Sequence, residues 1–267
     1  MNKPPHRIEV KSPPGGLRLL SADDPAPLGI ENESGSSPFV LVADHAGNRV
    51  PSTLGELGLS PRDRERHIAW DIGIGGLAVA LARELDAACI AQTYSRLVID
   101  CNRRLDAEDS IVQSSDGTRI PGNIGLTHEQ IEARQREIYA PYHRGIAELL
   151  ESRSQRSTAL ILLHSFTPVF SGIERPWHAG VLYNRDDRLA RPLLKTLSEL
   201  MTDFVIGDNQ PYSAQDGTDV ALIDHGEARG LPVVELEIRQ DLILDASGQR
   251  QWARRLATAL KSIGVAT

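Results

Sequence analysis

The chain has 267 residues, 40% hydrophobic and 24% charged, a size and composition that suit one large α/β domain, or two small ones, with a sizeable core. Its net charge is −7, aromatic residues are only 4%, and no lysine-arginine block stands out. Duplex DNA, an acidic membrane surface and stacked single-stranded nucleic acid are thereby excluded as main partners.

Residues 1–37 are rich in Pro, Gly and Ser (PPGG, PAP, ESGSSP) and read as a loosely structured N-terminal arm or a wrap over the surface. A single domain is expected over 38–267. FVLVA (39–43) is a continuous apolar run, the pattern of a strand buried on both faces. Ser60-Pro61 opens a helix, with a capping hydroxyl, a proline in the first turn and Asp63 and Glu65 at the positive end of the dipole. Leu77, Leu81 and Leu85 then mark one helical face, interrupted on its N-terminal side by GIGG (73–76). ACIAQ (88–92) and RLVID (96–100) are strand candidates. Residues 106–126 show no clean period, and a loop of that length is usually functional or mobile.

Thr127-x-x-Gln130 is a capping box opening a helix to about Leu150. ALILLH (159–164), GVLYN (180–184), FVIGD (204–208) and PVVELEIR (232–239) are further strands. Helices are expected over Asp187–Met201, in VALIDHGEARG, and at the end, where Trp252, Leu256, Leu260 and Ile263 share a face. The irregular stretch 209–219 and the loop 106–126 are candidate lids. Alternating strands and helices predict an α/β fold: a mostly parallel sheet covered by helices in one three-layer domain. The N-terminal residues lack the apolar core of a signal peptide, and no apolar run is long enough to span a membrane. A soluble, cytoplasmic protein acting on a small molecule is expected.

Polar clusters fall just after strands: DHAGN (44–48), DCNRR (100–104), HSFTP (164–168) and the end of ELEIR. In open α/β sheets, ligands bind outside the carboxyl ends of strands. His45 and His164, delivered to one edge, can bind one metal through neutral imidazoles, with Asp44 available to orient a ring. One such histidine alone is better read as an ordinary loop residue; two together favour the metal. Glu235 and Glu237 lie inside an apolar strand, where a carboxylate is costly to bury unless paired or beside a metal. Either can serve as a general base, and the sequence does not choose between them. Asn102 and Arg103 suit carboxylate binding and carbonyl polarisation. Two cysteines, Cys89 and Cys101, are too few for a thiolate zinc site. GxGxxG after a strand, the P-loop, GxSxG and HExxH are all absent.

VADHAGNRVP, VIDCNRR, LLHSFTP and VVELEIRQDLI, in this order, resemble the N-formylglutamate amidohydrolase family. That family is similar in turn to zinc carboxypeptidases and aspartoacylase-like hydrolases. The resemblance implies a phosphorylase/hydrolase-like α/β/α fold and a Zn²⁺ site, with other divalent metals as alternatives. It places the metal ligands at His45, Asn48 and His164, substrate contacts at Asn102 and Arg103, and the general base at Glu237, with Glu235 second. Arg103, Arg96 or Arg239 would hold the substrate carboxylates. One departure stands out: Asn48 occupies the position where the wider group has a ligating glutamate, and an amide is the weaker ligand. Asp71, in AWDIGIGG, is the alternative third ligand. The expected reaction is metal-dependent hydrolysis of an N-acylated acidic amino acid, N-formylglutamate foremost. The rivals are the same chemistry on another N-acyl amino acid, or a non-catalytic binding relative with a degraded metal site.

Overall fold

Seven strands form one mixed sheet in the computed structural model, which describes residues 16–264. They are β1 (Leu28–Glu31), β2 (Phe39–Ala43), β3 (Ala88–Gln92), β4 (Ala159–Phe166), β5 (Ala179–Leu182), β6 (Ile206–Asp208) and β7 (Val233–Arg239). Their spatial order is β1-β3-β2-β4-β7-β5-β6. The central four, β3, β2, β4 and β7, run parallel. β5 and β6 run antiparallel to β7, and β1 pairs antiparallel with β3 at the other edge.

Burial explains the continuous apolar runs. β2 and β4 are buried at every position, so both faces need apolar side chains. On one face Leu41, Ile161, Leu163, Val234, Leu236 and Ile238 pack under α2 (Ile74–Leu85), α5 (Ala190–Leu200) and α6 (Ala246–Ile263). Leu77, Leu81 and Leu85 form the buried stripe of α2; each stabilises the fold by roughly 1.5–3 kcal/mol relative to exposure. The other face, with Val40, Val42, Leu160 and Leu162, is covered by α3 (His128–Arg134), α4 (Ala140–Glu151) and the segment 214–229. This is the expected three-layer α/β architecture. The Thr127–Gln130 capping box opens α3, and a π turn over Gln135–Tyr139 joins it to α4. Ser60 caps the short α1 (Pro61–Arg64) through the Asp63 amide.

Two expectations need correction. RLVID is not a strand: it is buried, but its backbone follows turns. Its polar groups are met piecemeal, the Leu97 carbonyl by the Asn123 amide and the Val98 carbonyl by Arg134. Within the proposed arm, Leu28–Glu31 forms the edge strand β1, so the sheet begins before Pro38. Residues 1–15 of that arm lie outside the described residues. Among the described residues, no helix is long and apolar enough to cross a membrane.

Candidate metal centre and active site

Strand alternation decides which side chains reach the site. Val234, Leu236 and Ile238 occupy the face under α2 and α6, so Glu235 and Glu237 must point to the other face. His164, adjacent in register to Glu237, points the same way from β4. Asp44 and His45 leave the carboxyl end of β2 beside them. Asp71 arrives from a distant loop, its backbone amide donating to the His45 carbonyl at 2.9 Å. The chain then turns into α2 through Gly73, at φ +84°; a Cβ there would stand 2.2 Å from the Ile243 carbonyl oxygen. This explains the glycines after Asp71: they let the loop deliver the carboxylate and begin a packed helix at once.

One ligand atom from each of His45, Asp71 and His164 lies within 4.8 Å of the others. Asp71 Oδ2 is 3.1 Å from His164 Nδ1 and 3.6 Å from His45 Nδ1. Tetrahedral ligands at zinc bond lengths stand about 3.3 Å apart, so this spacing fits a divalent ion. Each outer nitrogen faces a carboxylate, the arrangement that orients metal-bound histidines. His45 Nε2–H donates to Asp100 Oδ1 at 2.8 Å, and His164 Nε2 faces Asp44 Oδ2 at 3.4 Å. Arg96 Nη1 lies 3.3 Å from His45 Nδ1 and, as a donor, selects the tautomer whose Nδ1 carries the lone pair. Its Nη2 pairs with the second Asp71 oxygen at 2.9 Å.

The electrostatics are those of a buried anionic pocket. Burial would lower the His164 pKa, but Glu235, Asp44 and Asp71 hold it well above the ordinary value. Burial opposes ionisation of Asp71 as well, yet Arg96 and His45 keep its carboxyl well below the usual range. Burial, helped by the Asp71 and Asp219 charges, pushes Glu237 up to about 8, against the pull of His164 and Arg96. Glu235 is raised well above the ordinary value by burial and by Asp219. One oxygen each of Glu235 and Glu237 is buried without a hydrogen-bond partner. Such orphaned groups are costly unless a ligand or ion completes them. Imidazoles and a carboxylate are the donor set of a zinc-type ion, and the residues present fit that group.

His45, Asp71, His164, Glu235 and Glu237 line a cavity of about 120 Å³ together with Arg96, Asn102, Arg103, Tyr212 and Asp219. His67, Arg96, Arg103 and Tyr212 also line an outer cleft of about 710 Å³. Both candidate lids contribute: Tyr212, Ser213 and Thr218 to the cavity, Asp109, Val112 and Asp116 to the cleft.

The residues singled out in the sequence divide here. His45, His164, Glu235, Glu237, Asn102, Arg103 and Arg96 are brought together. Asn48 is not: its side-chain amide donates to the Arg64 carbonyl at 2.7 Å, and Asp71 stands beside the histidines instead. Asn48 does not line the cavity described above, and Asp71 takes its place as the third ligand in the proposal below. Arg239 is also absent from the cavity, since its guanidinium turns to Asp241 and the Trp177 carbonyl. Asn102 is engaged at both ends, donating to Asp219 and accepting from the Ala221 amide. Sequence reasoning missed Asp100 and His67, and gave no role to Tyr212. Asp100 lay in the misread strand RLVID; nothing in the sequence around the other two marks them out.

Comparisons with known proteins now bear on this geometry. The sequence profile of the N-formylglutamate amidohydrolase family matches residues 37–244. The crystal structure of gene product Atu2144 from Agrobacterium tumefaciens is similar at 32% identity and a TM-score of 0.86, over 92% of this chain and 99% of that one. An N-formylglutamate amidohydrolase from Ralstonia eutropha JMP134 shares the fold at 20% identity and a TM-score of 0.65, over 88% and 95%. Among curated proteins, none matches the chain significantly.

Proposed function

Because the chain belongs to the N-formylglutamate amidohydrolase family, we propose that it hydrolyses the amide of an N-acylated acidic amino acid, N-formylglutamate foremost, using a divalent metal. The observation that carries this is the buried His45–Asp71–His164 cluster, whose outer nitrogens face carboxylates and whose cavity holds the further buried acids Glu235 and Glu237. His45 Nδ1, His164 Nδ1 and an Asp71 oxygen would hold the ion. When bound, such an ion polarises an amide carbonyl and acidifies water.

The chain's own residues do the rest. Glu237 acts as general base, taking a proton from the attacking water and returning it to the leaving amine. Glu237 is preferred over Glu235 because its electrostatic neighbours include Asp71 and Arg96, at the cluster, whereas those of Glu235 include Asp44. Arg103 lines the cavity, its Nε and Nη1 fixed by Asp109, Asp219 and the Asn102 carbonyl. It is suited to the oxyanion that develops as the carbonyl is attacked. Asn102 contributes by fixing Asp219 and the segment that begins at Ala221. Arg96 holds Asp71 and the His45 tautomer.

The outer cleft favours a second reading of substrate size. At about 710 Å³ it is far larger than a formyl group needs, so a larger acyl group on the same amino acid would be accommodated. Formate release from N-formylglutamate, assayed beside other N-acyl amino acids, separates the two. Failure of the metal-loaded protein to hydrolyse any of them would overturn the proposal.

A further inference from the structure

Each guanidinium expected to receive the substrate carboxylates is already paired with a protein carboxylate. Arg96 holds Asp71, Arg103 holds Asp109 and Asp219, and Arg239 holds Asp241. A substrate carboxylate arriving there must compete with a neighbour already in place. Arg175, which no motif singled out, differs. Its charge is packed over aromatic faces, 4.7 Å from the ring centres of both Phe170 and Tyr212 and 5.8 Å from that of Phe166. Its Nη1 donates to the Tyr212 hydroxyl at 3.0 Å. Among the described residues, no carboxylate lies at ion-pair distance from it, although the chain carries a net charge of −7.

We propose that Arg175 and the Tyr212 hydroxyl bind a free carboxylate of the substrate, and so set the preference for an acidic amino acid. This rests on the amidohydrolase reading above. Three features support it. Aromatic faces hold a guanidinium rigidly without neutralising it, leaving its remaining N–H groups for an anion. Tyr212 accepts from Arg175, so its own hydroxyl hydrogen is available to the same anion. Tyr212 lines both the inner cavity and the outer cleft, and Phe170 lines the cleft. A carboxylate at this corner therefore lies beside the cavity in which the amide would be cut.

The test uses glutarate, a dicarboxylate with the carbon skeleton of glutamate and no scissile bond, together with two substrates. Calorimetry on the full-length, metal-loaded protein should show glutarate binding that weakens about 10- to 100-fold in Arg175→Ala and is partly restored in Arg175→Lys, the scale of a hydrogen-bonded charge. The ratio of kcat/KM for N-formylglutamate over N-formylbutylamine, which lacks carboxylates, should fall by the same factor, mostly through KM. A merely structural role would lower both substrates together and leave the ratio unchanged, overturning the inference. Unaltered glutarate binding in Arg175→Ala, or none by the wild type, would also overturn it. Glutarate binding without formate release would instead count against the hydrolase reading and leave the carboxylate site standing.

Discussion

Glu237→Gln probes the proposed chemistry at its centre. The substitution keeps the shape of the side chain and removes only its ability to take a proton. Burial and the Asp71 and Asp219 charges raise Glu237 to about 8, so the group is mostly protonated at pH 7. The folded site already holds this group mostly neutral, and a neutral glutamine should not unfold it. A cation at His45, Asp71 and His164 lowers the Glu237 pKa towards the working pH. Loss of a general base costs about 10²–10⁴ in rate, or roughly 3–5 kcal/mol of transition-state stabilisation. Steady-state formate release should therefore fall at least 100-fold, while metal content and melting temperature stay close to wild type. The sign of the pH effect follows from the raised value. The base works only when deprotonated, so wild-type kcat/KM should rise with pH, with a limb above the ordinary 4.5 and no higher than about 8. Full activity in Glu237→Gln would refute the assignment and move the role to Glu235.

Other predictions concern the ligands and the scaffold. Asp100→Asn, which weakens the orientation of His45, should lower metal affinity about 10- to 100-fold, and Asp71→Asn should lower it further, both measured by competition with a chelator. Asn48→Ala should leave metal content unchanged and lower stability by about 1 kcal/mol, the worth of its bond to the Arg64 carbonyl; loss of metal would restore Asn48 as a ligand. Asp86 is held at about 2 by bonds from the Ser36 and Asn32 side chains and the Ser36 amide. Its contribution is present above pH 3.8 and lost as pH falls through about 2, because the folded state binds its proton more weakly than the unfolded one. The melting-temperature gap between wild type and Asp86→Asn should therefore close on acidification, and a constant gap would contradict that linkage.

What was legible in the sequence was what burial dictates locally. FVLVA, ALILLH and VVELEIR are strands because two covered faces leave no room for polar alternation, and a carboxylate or histidine within such a run stands out. His45, His164, Glu235 and Glu237 were found in this way. RLVID misled for the same reason: it is apolar and buried, but long side chains from elsewhere satisfy its carbonyls in place of a neighbouring strand. Asp71 was visible only as an alternative, because its place is set by bonds to residues far away in the chain, the His45 carbonyl, the Ser165 amide and Arg96. Asn48 looked better by spacing alone, yet spacing does not show that its amide turns towards α1. Arg175 was invisible, since its significance lies in the absence of an acidic neighbour, a property of the assembled surface.

The central claim, amide hydrolysis by a metal held between His45, Asp71 and His164, is tested most directly by removing and restoring the metal. Protein stripped with a chelator should release no formate from N-formylglutamate, and about one equivalent of Zn²⁺ or another divalent ion should restore release in the wild type but not in His164→Ala. Undiminished release by the stripped protein, or restoration in His164→Ala equal to that of the wild type, would contradict the account.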